Sequence, residues 1–349
     1  TAIPEETPLY FLDLIANREI SNKIAEIFKI HHQSPQLLLI KNGECVYEGD
    51  TTGPTSALSV LMDKTIDAAV LETARGGMIR AGLAYDLADV AVITNVTDDH
   101  LGIDEVETID DLAKVKALVG EAVKMEGYVV INGDDPVSTT LLNRFKGKPI
   151  IFSRNKDNKI LKENIENGGY GIYTDEGYLY IQKGDLPAPL MKVEDIGISF
   201  NGILTYNIEN ALAACSAAVG LGIDYFIIRD SLTEFKCNEV LNPGRFNTYD
   251  INGVTAILDY GHNVEGFKSV LPGLKSMNFN RLIGVITVPG DRLDRNLLES
   301  GNIAGNYFDY LFIKEGKYRR GRQEGVISEL LKQGALSSGF NEDKIKIIF

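Results

Sequence analysis

Short apolar runs alternate with stretches of helical periodicity along most of this sequence, and no other feature constrains the fold as much. DVAVIT (89–94), GYVVING (127–133) and KPIIFS (148–153) are short and apolar on both faces. Such runs suit strands covered on both sides rather than strands with one wet face. DAAVLE (67–72) reads as one more strand of this kind, and LYFLDL (9–14) as another strand. Between the runs, 108–125 carries a helical pattern that opens near Thr108 with acids in its first turn. REISNKIAEIFK (18–29) has Ile20, Ile24, Ile27 and Phe28 on one side of a helix. SPQLLLIKNGECVYEG predicts a hairpin turning at Asn42-Gly43. The expected class is α/β with a central, mostly parallel sheet.

The pattern changes twice. Residues 154–206 are polar and glycine-rich, with alternating runs such as YGIYTDEGYLYI, and predict antiparallel hairpins added to the first sheet. A small-residue helix is expected over 207–221. CNEVLNPGRFNTYDINGVTAILDYGHN reads as a linker and a domain start. From 254 onward the alternation resumes over 254–259, 264–275, 281–287, 301–306, 309–314 and 324–333, which predicts a second, smaller Rossmann-like α/β domain.

The chain carries a formal net charge of −14, so nucleic acid is not an expected partner, and neither is an anionic membrane. No run of 18 apolar residues occurs, so no membrane span is expected. Cys45, Cys215 and Cys237 are odd in number and widely spaced, which predicts reduced thiols and a cytoplasmic location. The start lacks Met and the end, IKIIF, stops in a strand-like run, so both ends are expected to be truncated.

Polar clusters recur just beyond strand ends, where open α/β sheets bind ligands. NVTDDHLGID sets His100 among Asp98, Asp99 and Asp104. An imidazole beside carboxylates suits a divalent metal. A surface histidine among helix-capping acids is the ordinary alternative. LETARGGMIRAGL places Glu72 at a strand end, with Arg75 and Arg80 available to phosphate or carboxylate. In YEGDTTGPTSA, Asp50, Thr51 and Thr52 precede Gly53-Pro54 in a turn that could hold an anion or simply cap a helix. In the second half, NPGRF carries Arg245, and LDYGHN carries Asp259, His262 and Asn263. TVPGDRLDRN carries Asp291, Arg292, Asp294 and Arg295, and IKEGKYRRGR carries Lys314, Lys317, Arg319, Arg320 and Arg322. Three such clusters at three strand ends would converge on one crevice, and the basic one could bind an anionic substrate.

From about residue 43 these segments, with DLAKVKALV, INGDDP and YNIENALAA, resemble the Mur ligase family in order and content. ETARGG and DYGHN are most similar to its cyanophycin synthetase branch. The resemblance implies ATP-dependent joining of a carboxylate to an amine through an acyl phosphate, with Mg²⁺ and cations neutralising phosphoryl oxygens. It implies that Glu72 and His100 hold Mg²⁺ and that Thr51 and Thr52 lie near the γ-phosphate and acceptor carboxylate. Lys116 matches a lysine that many relatives carbamylate to bind a second Mg²⁺. Asn207 and Asn210 would lie on the adenine side, and Arg245 and Asp259 at the phosphates and ribose. Lys116, His262 and Arg292 are the catalytic candidates. Arg75, Arg80, Asn263, Lys314, Arg320 and Arg322 are the candidates for binding substrate. In that branch the substrates are arginine and the β-carboxyl of a poly-aspartate backbone, an acidic peptide. A homo-oligomer stays open.

One element of the family's pattern is missing. No G-x-x-x-x-G-K followed by Ser or Thr occurs; Gly147-Lys148 precedes Pro149, and Gly316-Lys317 precedes Tyr318. Without that loop, backbone N–H groups and a lysine that cradle phosphates are lost. Residues from about 8 to 42 instead resemble the second half of a bacilliredoxin-type thioredoxin-like protein, with Pro35 as its cis-proline and no redox cysteine. That stretch is expected to supply strand, helix and strand to the sheet. The expected domains are thus a fragment over 1–42, a central ATPase-type domain over 43–240 and a truncated C-terminal domain over 241–349. The expected function is amide ligation impaired by the missing loop; the alternative is a non-catalytic binding or scaffold remnant.

Overall fold

In the computed structural model, residues 36–41, 44–50, 54–62, 68–97, 101–102, 105–277, 279–316 and 319–349 are described. The strand at 9–14, the helix at 18–29, Pro35, Thr51, Thr52 and the acidic turn with Asp98, Asp99, His100 and Asp104 lie outside them.

β1 (Gln36–Lys41) and β2 (Glu44–Asp50) pair antiparallel with Lys41 opposite Glu44, as the hairpin reading requires. Among the described residues they form a two-stranded sheet of their own and do not extend the central one, contrary to expectation. α1 (Pro54–Leu61) follows, then α2 (Arg75–Ala81). The strand expected at 67–72 is not formed over its described residues: 68–74 carry neither strand nor helix, and Val70 is 97% exposed. Of its described residues only Val70 is β-branched, and alanine and glutamate are poor strand formers.

β3 (Ala88–Ile93), β4 (Val123–Asn132) and β5 (Lys148–Ser153) pair parallel, joined through α3 (Ile109–Glu121) and the short α4 (Pro136–Thr139). α5 (Lys159–Glu166) leads to β6 (Tyr170–Asp175), also parallel to β5. β7 (Tyr178–Lys183) and β8 (Leu186–Lys192) add antiparallel, completing a six-stranded sheet in sequence order. Glu176 and Gly177, both at positive φ, make the tight turn between β6 and β7. α6 (Thr205–Gly220) and α7 (Tyr225–Glu234) close this half.

The period of two explains why β4 and β5 are apolar throughout. Val130, Ile150 and Phe152 face α6, packing with Leu212 and Cys215. Val129, Ile131 and Ile151 face the other side, packing with Leu112 on α3 and Leu161 on α5. Both faces are covered, so neither set of residues can be polar. α3 starts where its sequence says it should. The Thr108 hydroxyl accepts from Asp111 N at 3.1 Å while the Asp111 carboxylate accepts from Thr108 N at 3.2 Å, a reciprocal cap.

The second half begins with the antiparallel hairpin of β9 (Asn247–Ile251) and β10 (Val254–Leu258). α8 (Val264–Ser276), β11 (Ile283–Ile286), α9 (Asp294–Tyr307), β12 (Tyr310–Lys314), α10 (Val326–Ser337) and β13 (Ile345–Ile348) follow. β11, β12 and β13 form a parallel three-stranded sheet over a core of Leu271, Leu297, Leu311, Ile313 and Leu331. α9 and α10 lie so close that a Cβ on Gly301 would strike the Leu331 carbonyl, and one on Gly334 the Leu298 carbonyl. Leu204, just before α6, is fully buried in this second core, so the approach to α6 is shared by both halves.

Candidate functional site

The carboxyl ends of β10, β11 and β12 bring the second-half candidates together. Asp259 stands one residue past β10. Its Oδ1 accepts from Gly261 N at 2.7 Å and its Oδ2 from Phe246 N at 3.0 Å. The Tyr206 hydroxyl, from the start of α6, reaches the same Oδ2 at 3.5 Å. Burial, and then the Asp259 charge, push the Tyr206 phenol well above its ordinary range, so it stays a donor. Arg245 is exposed, with its guanidinium 5.0 Å from the Tyr260 ring centroid.

From there the contacts run inward. The Tyr260 and His262 rings meet edge to face at 5.2 Å, and His262 Nδ1 lies 3.0 Å from the Tyr260 carbonyl. A carbonyl only accepts and a guanidinium only donates, so the contacts on the two sides of the ring assign the proton to Nδ1 and a lone pair to Nε2. Arg292 Nη2 faces that lone pair at 3.5 Å, from a side chain only 4% exposed. Arg292 Nη1 lies 3.4 Å from Asp291 Oδ1, and Arg320 Nη1 2.6 Å from Asp291 Oδ2. Burial raises the Asp291 carboxyl, but the Arg320 hydrogen bond and the two guanidinium charges outweigh it and hold the group below its ordinary range. Asn263 is an N-cap: its side chain accepts from Gly266 N at 2.8 Å.

The basic loop after β12 is held more tightly than its sequence suggests. Glu315 is buried, yet it accepts from Gly325 N, Ser328 N, the Ser328 hydroxyl and Arg319 Nε at 2.8 to 3.0 Å. Burial opposes its ionisation and these four donors more than compensate, so its carboxyl too sits low. Arg322 donates to the Gly290 and Arg292 carbonyls at 2.5 and 2.6 Å and pairs with Asp294 at 2.7 Å. Lys314 ends β12 and is exposed.

The first-half candidates are more dispersed. Lys116, on α3, donates from Nζ to the Asn95 carbonyl at 2.9 Å, two residues past β3. Asn207 is buried, donating to the Ile198 carbonyl at 2.8 Å, and its Oδ1 accepts from Asn210, which is exposed, at 3.3 Å. Glu72 is exposed and precedes α2 rather than ending a strand; Arg75 and Arg80 lie on α2. His100 is outside the described residues, so the pair of Glu72 and His100 has no geometry here. Among the described residues no three His, Cys, Asp or Glu side chains gather as a metal site.

Sequence reasoning missed Asp134, Asp135, Arg154 and Glu209. Asp135 caps α4 and accepts from Val96 N at 2.8 Å, which anchors the turn after β3. Asp134 accepts from Ser153 Oγ and Arg154 N, and the Arg154 guanidinium pairs with Glu209 on α6 at 2.6 Å. The signal for Asp135 was legible: an acid followed by proline is an N-cap followed by the first helical residue. Nothing in the sequence pairs Arg154 with Glu209.

Two sequence models of known families cover most of the chain. The Mur ligase middle domain matches residues 24–218, and the domain described as Mur ligase, glutamate ligase domain matches residues 244–346. The chain belongs to the Mur ligase family. Within it, the chain is 40% identical over 295 residues to the cyanophycin synthetase of Synechocystis sp., covering 84% of this chain and 34% of that protein. It is 31% identical over 261 residues to the UDP-N-acetylmuramoylalanine–D-glutamate ligase of Caldanaerobacter subterraneus, covering 74% and 49%. The chain thus spans about a third of the length of the cyanophycin synthetases it matches. Among solved structures, folylpolyglutamate synthase of Mycobacterium tuberculosis complexed with ADP shares the fold at a TM-score of 0.54 and 20% identity, covering 75% of this chain and 53% of that one. MurF of Acinetobacter baumannii does so at 0.51 and 17%, covering 74% and 50%. The middle-domain match begins at residue 24, inside the stretch read as thioredoxin-like, and nothing supports that second resemblance. Among the described residues no helix is long and apolar enough to cross a membrane.

Proposed function

We propose that this chain is the Mur-ligase portion of an ATP-dependent acid–amino acid ligase of the cyanophycin synthetase type, joining arginine to an aspartate-containing peptide. The observation that carries this reading is the convergence of Asp259, His262, Arg292, Asp291 and Arg320 at three strand ends of the second half. The similarity to cyanophycin synthetase supports it, and the substrates are those implied by the resemblance of its sequence motifs.

The residues present suit a nucleotide. Arg245 offers an exposed cation, Asp259 an acceptor whose direction is fixed by two backbone N–H groups, and Asn210 an exposed amide on α6. When bound, ATP would supply the phosphoryl group that turns a carboxylate into an acyl phosphate. Glu72 and His100 would hold Mg²⁺ and Lys116 would serve it. Thr51 and Thr52 would line the γ-phosphate. Arg75 and Arg80 would meet the acidic peptide. His262 and Arg292 would orient the incoming amine, with Asn263, Lys314 and Arg320 around it and Arg322 behind Arg292. The central domain would run over 43–240 and the C-terminal one over 241–349.

We further propose that the activity is weak, because no Gly-Lys pair of the sequence is followed by Ser or Thr, and several kcal/mol of transition-state stabilisation would go with that cradle. The test has two parts: Mg·ATP titration by calorimetry, and phosphate release with arginine and an aspartate–arginine primer. Measurable Mg·ATP affinity with slow, primer-dependent release is expected. Release at the rate of relatives that carry the loop would overturn the impairment, and no affinity for Mg·ATP would favour a non-catalytic remnant.

A further inference from the structure

Arg320 and Arg322 stand two residues apart in one basic loop, and by composition either could bind an anionic substrate. Their geometry separates them. Every nitrogen of the Arg322 guanidinium has an acceptor within the protein: Nε the Gly290 carbonyl at 2.5 Å, Nη2 the Arg292 carbonyl at 2.6 Å, Nη1 the Asp294 carboxylate at 2.7 Å. Its side chain is 21% exposed. Arg320 uses one nitrogen on Asp291, and its side chain is 44% exposed.

We propose that Arg322 is a positioning residue, a latch that fastens the loop after β12 to the loop after β11 and so holds Arg292 against His262. Three observations point the same way. Gly290 lies against the Arg319 carbonyl so closely that any Cβ there would collide with it, so the two loops meet backbone to backbone. The two carbonyls that Arg322 grips flank Asp291 and belong to Gly290 and Arg292, so the grip fixes the stretch from which the Arg292 side chain projects. The far side of the basic loop is fastened independently, because buried Glu315 binds Arg319, Gly325 N and the start of α10. A planar guanidinium can serve three divergent acceptors at once, whereas a lysine ammonium on a flexible stem holds one direction well. Arg320 is thereby left as the exchangeable cation of the pair. The inference rests on the ligase reading only for what that cation would meet.

The test uses the full chain without any ligand, so it decides the latch whether or not the ligase reading holds. Hydrogen exchange of the amides over 288–294 and the ring signal of His262, assigned through His262→Gln, are followed in wild type, Arg322→Ala, Arg322→Lys, Asp294→Asn and Arg320→Ala. Loss of the charge-assisted bonds should speed exchange by roughly tenfold or more in Arg322→Ala. Arg322→Lys should not restore wild-type exchange, and Asp294→Asn, which changes an exposed side chain, should fall between. The His262 signal should move in Arg322→Ala, although Arg322 does not touch that ring, and stay in place in Arg320→Ala. Wild-type exchange in both Arg322→Ala and Asp294→Asn would overturn the proposal. So would full rescue by lysine, or equal effects of Arg320→Ala and Arg322→Ala.

Discussion

The loops after β4 and after β11 both carry aspartates just beyond a parallel strand, and they use them in opposite ways. After β4, Asp134 and Asp135 accept from neutral donors: Ser153 Oγ, Arg154 N, Asn158 Nδ2, Val96 N, Val137 N, Ser138 N and the Ser138 hydroxyl. Most of these are backbone groups that only the fold can place. After β11, Asp291 faces two guanidinium groups, one buried and one half exposed. A carboxylate saturated by backbone N–H groups is frame. A carboxylate paired with an exposed cation can trade that partner for a ligand at little cost. Residue type and place in the fold are the same; the partner decides the role.

The sharpest way to break this contrast is to remove Asp135. Asp135→Ala strands the N–H groups of Val96, Val137 and Ser138 and removes the cap of α4. We expect roughly 2–4 kcal/mol of destabilisation, read as a drop of several degrees in Tm. A loss under about 0.5 kcal/mol would show that water replaces the carboxylate and that the loop is not frame. Next in size is Glu315→Gln, which tests whether the second region also has a frame. Glutamine keeps one acceptor for four donors and cancels the charge beside Arg319, so about 2 kcal/mol is expected by thermal or urea unfolding. If Glu315→Gln costs no more than Asp291→Asn, the division into frame and exchangeable acids fails.

How far the sequence disclosed this contrast depends on the range of each interaction. The cap of α3 by Thr108 and Asp111 spans three residues, and the opening of that helix was legible. The two-faced burial of β4 and β5 was legible because both sets of alternating residues are apolar. The hairpins of β6, β7 and β8 showed in their alternation and their glycines. What failed was the strand at 67–72: an apolar run shows only that a segment is suited to burial, and no ladder forms over its described residues. The site was legible as a set of candidates at strand ends, and not as partners. Asp259 with Phe246 spans 13 residues, Asp291 with Arg320 29, and Arg322 with Arg292 30. No local pattern records such pairs. Hence a basic loop that reads as a ligand surface has one arginine committed to carbonyls.

Asp291→Asn is the smallest expected effect and the one that sharpens the comparison most. At neutral pH the variant loses a partly exposed pair, which should cost less than about 1 kcal/mol. Its signature is the pH dependence. The folded carboxyl of Asp291 titrates below its ordinary value of 3.8, because Arg320 and Arg292 favour the ionised form over the opposing effect of burial. A depressed carboxyl stabilises the fold above the unfolded value and loses that contribution as pH falls through the folded one. The gap in stability between wild type and Asp291→Asn should therefore be flat from about pH 7 to 5 and close below about pH 4. Added salt should narrow it at neutral pH, since Arg320 is half exposed. Asp135 should behave otherwise: its acceptors serve neutral donors, so salt should leave the deficit of Asp135→Ala unchanged. Urea unfolding of the three proteins across pH and ionic strength makes the measurement. A gap for Asp291→Asn that widens toward acid, or a deficit for Asp135→Ala as salt-sensitive as that of Asp291→Asn, would mean that the two loops do not differ in the way their partners imply.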